Sequence, residues 1–207
     1  PLIAWVAAGL LGAGIDRLVV LFNSRGDAAR EALRSAFPKA RLEFLRADTP
    51  TSFASFRLVA QALSSGPEPF LMSTVDALVP PAEVRRFAGS ALSPLPGAAQ
   101  PWAAAALTRF VDDEKPLWAD TDAQGLVTAF GDAARRREAV TCGLYALTPR
   151  AAADLAAAPE APRLRDWWTA LATTGRPVRG VTLSDTVDVD RPEDLAAAER
   201  ITRCFAA

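Results

Sequence analysis

Through the first ninety residues, segments with apolar residues at helical spacing alternate with short apolar runs of strand length. That alternation directs a chain into a mainly parallel sheet covered by helices, because parallel neighbours need a crossover and the crossover packs on the sheet face. Leu2, Ile3, Val6, Leu10 and Leu11 recur at helical spacing, and Gly12 and Gly14 supply the stop. The pattern then predicts a strand over 18–22, a helix over 28–37 stopped by Pro38, a strand over 42–45 and a helix over 53–63 behind a turn whose last hydroxyl can cap it. A run at 70–75 has the length of a buried strand and ends at Asp76, and Pro80-Pro81 opens a helix through 87. Beyond the Pro-rich loop 90–101, the same reading gives a strand over 102–108, a hairpin with arms 116–119 and 126–130, and a strand over 142–147. Helices over 149–157 and 164–174, a strand over 178–183 and a terminal helix over 192–205 complete the chain. The expected architecture is one three-layer α/β/α domain over residues 1–207 with a mixed, mainly parallel sheet.

Composition narrows the chemistry. With 207 residues, half of them apolar, the chain can bury a sizeable core. Its 23 Lys and Arg against 24 Asp and Glu lack the clustered cations that phosphate backbones select, so no nucleic-acid partner is expected. There is no histidine, and the two cysteines, Cys142 and Cys204, lie far apart, which excludes a Cys/His metal cluster, a histidine base and a Ser-His-Asp triad. Two isolated thiols read as buried groups in a reducing cytoplasm. The uncharged apolar run at residues 1–15 is too short to cross a bilayer and reads as a buried helix, so no membrane partner is expected. Its glycines follow a helix and precede a strand, the reverse of a dinucleotide-binding fingerprint. Trp167-Trp168 suits either a partner surface or the core.

In an open α/β sheet, ligands bind beyond the carboxyl ends of the strands. Asp76 ends the 70–75 run, and Asp188 lies in Val187-Asp188-Val189-Asp190, directly ahead of a helix start. Each suits a turn or capping role as well as a chemical one; for the group Asp185, Asp188 and Asp190, capping is the stronger reading. Two carboxylates converging from separate strand ends would suit Mg²⁺, a hard cation that shares oxygen ligands with phosphates.

Four collinear motifs carry a family resemblance. Pro1-Leu2-Ile3 running into Gly14-Ile15-Asp16-Arg17-Leu18-Val19-Val20 resembles the opening stretch of nucleotidyltransferases that make nucleotide-sugars and related activated head groups. Phe70-Leu71-Met72-Ser73-Thr74-Val75-Asp76 is similar to their strand ending in a metal-binding aspartate. Gly125-Leu126-Val127 with Val140-Thr141-Cys142-Gly143-Leu144-Tyr145-Ala146, and Val187 through Leu195 with Asp190-Arg191-Pro192-Glu193-Asp194 between, resemble their two later segments. The resemblance implies a nucleotide-diphospho-sugar transferase fold of the GT-A kind. It implies transfer of a nucleoside monophosphate from a nucleoside triphosphate to a phosphorylated acceptor, a sugar 1-phosphate or similar, with release of pyrophosphate. Position by position, it implies that Asp76 and Asp188 hold Mg²⁺, that Thr51 and Ser52 approach the nucleobase, that Gly143 lets the acceptor come close to backbone, and that Lys115 contacts phosphate or acceptor. Such chemistry is positioning and charge neutralisation, so it needs neither a protein nucleophile nor histidine.

Two departures stand out. The family's first strand and glycine-rich phosphate loop would precede Pro1, and the expectation is that the polypeptide is longer. Gly131-Asp132 stands where many sugar nucleotidyltransferases have Glu-Lys, which leaves the acceptor open. A non-catalytic nucleotide- or partner-binding member of the fold is the alternative; a glycosyltransferase ranks below it, because Asp76-Ala77-Leu78 is not the Asp-x-Asp those enzymes carry. Homo-oligomer formation is compatible with either reading.

Overall fold

The structure is a computed structural model that describes residues 1–95, 97, 100–109, 116–203 and 205. Ten strands and seven α-helices occur among the described residues. The chain begins α1 (Leu2–Gly12), β1 (Arg17–Phe22), α2 (Asp27–Ala36), β2 (Arg41–Arg46), α3 (Ser52–Leu63), β3 (Phe70–Ser73), β4 (Ala77–Leu78), α4 (Pro81–Ser90). It continues β5 (Ala103–Thr108), β6 (Trp118–Thr121), β7 (Val127–Phe130), β8 (Ala139–Leu147), α5 (Pro149–Ala157), α6 (Leu164–Ala172), β9 (Val178–Leu183), β10 (Val187–Asp188), α7 (Leu195–Arg203). Local chemistry sets the boundaries. Thr51 Oγ1 accepts the Ala54 N–H at the start of α3, and Thr148 Oγ1 accepts the Ala151 N–H at the start of α5, ahead of Pro149 in the first turn. Past the end of α1 the chain turns at Gly14, whose φ of +96° suits glycine.

The α/β class and the mixed sheet are as expected, but fewer ladders are parallel than the alternation predicts. Among the described residues two of seven ladders are parallel, β1 with β2 and β5 with β9. The reason lies in the order β5-β6-β7-β8, where no α-helix intervenes among the described residues and strands joined without a crossover reverse direction. The nine-residue β8 therefore runs against its neighbours. One of its edges pairs with β5, and the other is shared end to end by β3, through Phe70↔Leu147 to Ser73↔Leu144, and β6, through Trp118↔Val140. Among the described residues β1 and β2 form a separate two-stranded sheet, and β4 pairs with β10 alone.

β5 is buried along its whole length, and its alternation explains how. Ala103, Ala105 and Leu107 face a core with Phe53, Phe56 and Trp168, while Ala104 and Ala106 face one with Val84, Phe87 and Leu183. A strand covered on both faces reads as a continuous apolar run, and alanine lets both helical layers approach closely. Trp168 lies in this core, its ring stacked on Tyr145 at 4.7 Å between centroids, and Trp167 packs beside Trp102. The expected 70–75 strand stops at Ser73, where the chain bends; the 142–147 strand starts three residues earlier; and the terminal helix is a 3₁₀ turn at Pro192–Asp194 followed by α7.

Candidate active site

The bend after β3 builds the site. The Thr74 N–H donates to the Gly143 carbonyl at 2.9 Å, which turns the chain off β8. The next residues pair antiparallel with β10 through Ala77↔Asp188 and Leu78↔Val187, and the Val189 N–H donates to the Asp76 carbonyl at 3.1 Å. This two-residue ladder joins parts of the chain more than a hundred residues apart, and it brings Asp76, Asp188 and Asp190 together, with one carboxylate oxygen from each within 4.8 Å of the others. Asp76 is half-buried; Asp188 and Asp190 are exposed. Asp76 Oδ1 is buried and accepts no hydrogen bond among the described residues.

A buried carboxylate oxygen without a donor is costly, and three clustered carboxylates repel one another. A divalent cation on the cluster removes both costs. The donor set is oxygen alone, with no sulfur or nitrogen, which fits a hard cation such as Mg²⁺. Asp188 was expected with Asp76; Asp190 joins them, although capping was the stronger reading for it. The capping carboxylate is instead Asp194, whose Oδ2 accepts the N–H groups of Asp190 at 3.0 Å and Arg191 at 2.8 Å. Burial acts to raise Asp194, and those N–H groups with the Arg191 charge outweigh it, leaving the carboxyl below its ordinary 3.8. The spacing Asp188-Val189-Asp190 was the available signal, and only the pairing of Val189 with Asp76 gives it meaning.

Gly143 is required from beneath the site. Its φ is +77°, and a Cβ there would meet Thr74 Oγ1 at 2.3 Å and the Ala77 Cβ at 2.7 Å. The protein's own bend fills the space beside this glycine. Thr51 is engaged as the cap of α3, and Ser52 Oγ accepts the Leu164 N–H at 3.3 Å, tying α3 to α6. The structure groups neither with the three carboxylates. Lys115 lies outside the described residues, as does Cys204. Burial pushes the Cys142 thiol up to about 12, so it stays protonated near the site and is no nucleophile.

No family model matches the sequence, and a search of curated proteins finds no relative. Solved structures do match. The inositol-1-phosphate CTP transferase from T. maritima superposes with a TM-score of 0.80 at 15% identity, covering 99% of this chain and 82% of its own. The chain shares the fold of that transferase. HddC from Yersinia pseudotuberculosis shares the same fold with a TM-score of 0.72 at 14% identity, covering 97% of this chain and 85% of its own. A structure of HddC complexed with GMP-PN gives 0.71 at 15% identity, covering 96% and 84%. Among the described residues no helix is long and apolar enough to cross a membrane.

Proposed function

We propose that this chain is an Mg²⁺-dependent nucleotidyltransferase that moves a nucleoside monophosphate from a nucleoside triphosphate to a phosphorylated acceptor, a sugar 1-phosphate or similar. The observation that carries the reading is the buried, unpartnered Oδ1 of Asp76 within a three-carboxylate cluster on a nucleotidyltransferase fold. Asp76 and Asp188 would hold the ion, with Asp190 beside them. Once bound, the ion would offset the negative charge of the triphosphate and of the departing pyrophosphate.

This chain's residues supply position. The Gly143 carbonyl holds the Thr74 N–H, and the β4–β10 ladder fixes the carboxylates against each other. A phosphate oxygen of the acceptor forms the new bond to the α-phosphorus, while the bond from that phosphorus to the β-bridging oxygen breaks and its electron pair leaves with pyrophosphate. An ionised acceptor phosphate needs no base, in keeping with a chain that has no histidine.

Pyrophosphate release, measured with each of the four nucleoside triphosphates against a panel of sugar and polyol monophosphates with Mg²⁺, tests the reading. Turnover is expected with one nucleotide and acceptor class, falling on the order of 10³-fold in Asp76→Asn and in Asp188→Asn. Undiminished turnover in both variants refutes the site. Calorimetric nucleotide binding with no pyrophosphate from any pair would instead identify a non-catalytic binding protein of this fold.

A further inference from the structure

The connection from β7 to β8 carries one residue under backbone strain. Arg137 has a φ of +51°, the one positive φ outside glycine among the described residues. A side chain in this region costs free energy and persists only where its surroundings hold it. Asp120 does the holding, since its Oδ2 accepts the Arg136 N–H and its Oδ1 the Arg137 N–H.

The alternation of β6 decides where this connection lies. Leu117 and Ala119 belong to the core with Phe53 and Trp168, so Trp118 between them, and Asp120 with it, point to the opposite face of the sheet. Cys142 faces that side too, in the core with Val84 and Phe87, and Val140, paired with Trp118, shares it. Val79, directly after β4, lies in the same core as Cys142, and the charge of Asp188 acts on the Cys142 thiol. Trp118 and the carboxylate cluster therefore share one face of β8. Along that strand they are separated by the step from Val140 to Gly143, about 10 Å, within the reach of long side chains.

The Arg137 guanidinium lies over the Trp118 ring, 5.8 Å from its centroid. The residue is exposed, and among the described residues its guanidinium meets no acceptor and no carboxylate. Arg136 differs, being engaged by the Thr121 carbonyl and by Glu138. An indole under the guanidinium plane fixes a long side chain in advance and leaves the N–H edge free. In the proposed transfer, one oxygen of the acceptor phosphate forms the new bond, and its other two terminal oxygens carry negative charge toward a triphosphate that is itself anionic. The ion on the cluster meets the triphosphate; a second cation on the attacking phosphate lowers the repulsion between them. Two parallel N–H groups of an arginine match two oxygens of one phosphate, and the guanidinium keeps its charge throughout.

We propose that Arg137, strained by the Asp120 clamp and seated on Trp118, binds the phosphate of the acceptor through its guanidinium fork. The word acceptor rests on the transfer reading above; the phosphate site itself is tested without turnover.

NMR of the isotope-labelled protein with Mg²⁺ follows the Arg137 Nε–H and the Trp118 indole N–H as sugar and polyol monophosphates and their unphosphorylated counterparts are added. A saturable shift of both signals is expected with at least one monophosphate and with no unphosphorylated counterpart. Arg137→Gly should weaken that binding, measured by calorimetry, on the order of 30-fold. Its thermal midpoint should equal the parent's or exceed it by up to about 3 °C, because glycine takes a positive φ without strain. Arg137→Lys, which keeps the charge and loses the fork, should fall between the two in affinity. Unchanged affinity in Arg137→Gly overturns the proposal and leaves Arg137 structural. The absence of a saturable shift with every monophosphate overturns it too, whether or not pyrophosphate is released. The same shift from sulfate at equal ionic strength would show an unselective anion site, and the same shift from a nucleoside triphosphate alone would assign the arginine to the donor; either overturns the proposal. A monophosphate-specific shift without pyrophosphate release keeps the binding assignment and refutes the transfer, so the two readings fail separately.

Discussion

Asp120 lies within β6 and Asp76 directly ahead of β4, and the two aspartates are treated in opposite ways. Asp120, on β6, is 5% exposed and fully engaged: its Oδ2 accepts the Arg136 N–H at 2.9 Å and its Oδ1 the Arg137 N–H at 3.0 Å. Those bonds hold a turn in which Arg137 adopts a φ of +51°, a conformation a side chain disfavours. Asp76 keeps a buried oxygen with no donor and two more carboxylates close by. A carboxylate whose oxygens are satisfied by backbone holds structure; a buried oxygen left without a donor is what the proposed ion would engage. Asp194 caps through backbone N–H groups, whereas Asp190, four residues earlier, lies in the cluster.

That contrast breaks if the two aspartates respond alike. The largest effect is expected for Asp76→Asn, a loss of pyrophosphate release on the order of 10³-fold with a thermal midpoint equal to or above that of the parent, because a repelling charge is removed. A large fall in its midpoint would make Asp76 structural. Asp120→Ala should do the reverse, costing about 2 kcal/mol in denaturant unfolding by leaving two part-buried N–H groups without their acceptor and the Arg137 turn unsupported. Gly143→Ala is expected to cost about 2 kcal/mol, because the added methyl group meets the Thr74 bend in a disfavoured backbone conformation, and to weaken Mg²⁺ binding measured by calorimetry. A variant that keeps both values would show that the bend does not depend on this glycine.

The pH response sharpens the contrast further. Burial acts to raise Asp120, and the backbone N–H groups of Arg136 and Arg137 outweigh it, so its carboxyl, like that of Asp194, sits below its ordinary value of 3.8. A carboxyl depressed on folding contributes stability that is fully present above about pH 4 and is lost as the pH falls through the folded-state value. Denaturant midpoints followed from pH 5 to pH 2 should therefore drop less steeply in Asp120→Asn than in the parent; parallel curves would contradict the assignment. The smallest effect is that of the ion alone: saturating Mg²⁺ should raise the parent's midpoint by about 3 °C and leave Asp76→Asn unmoved. A parent midpoint unchanged by Mg²⁺ would contradict an ion held by this cluster.

What the sequence by itself determined was local. The helical spacing of Leu2, Ile3, Val6 and Leu10, the prolines at 80, 81 and 149 and the apolar run of β5 placed nearly every helix and long strand, since spacing, caps and breakers act over a few residues. Asp76 and Asp188 stood out through the resemblance of their motifs. Only the tertiary structure decided that Asp190 belongs with them, that Thr51 and Ser52 are tied up in holding α3, and that β8 reverses within the sheet. It also decided that β1 and β3 line one cavity. Each of these depends on pairing between segments far apart in sequence. The two-residue β4–β10 ladder is too short to leave a pattern of its own, and what it brings together lies more than a hundred residues apart, beyond the reach of any local pattern.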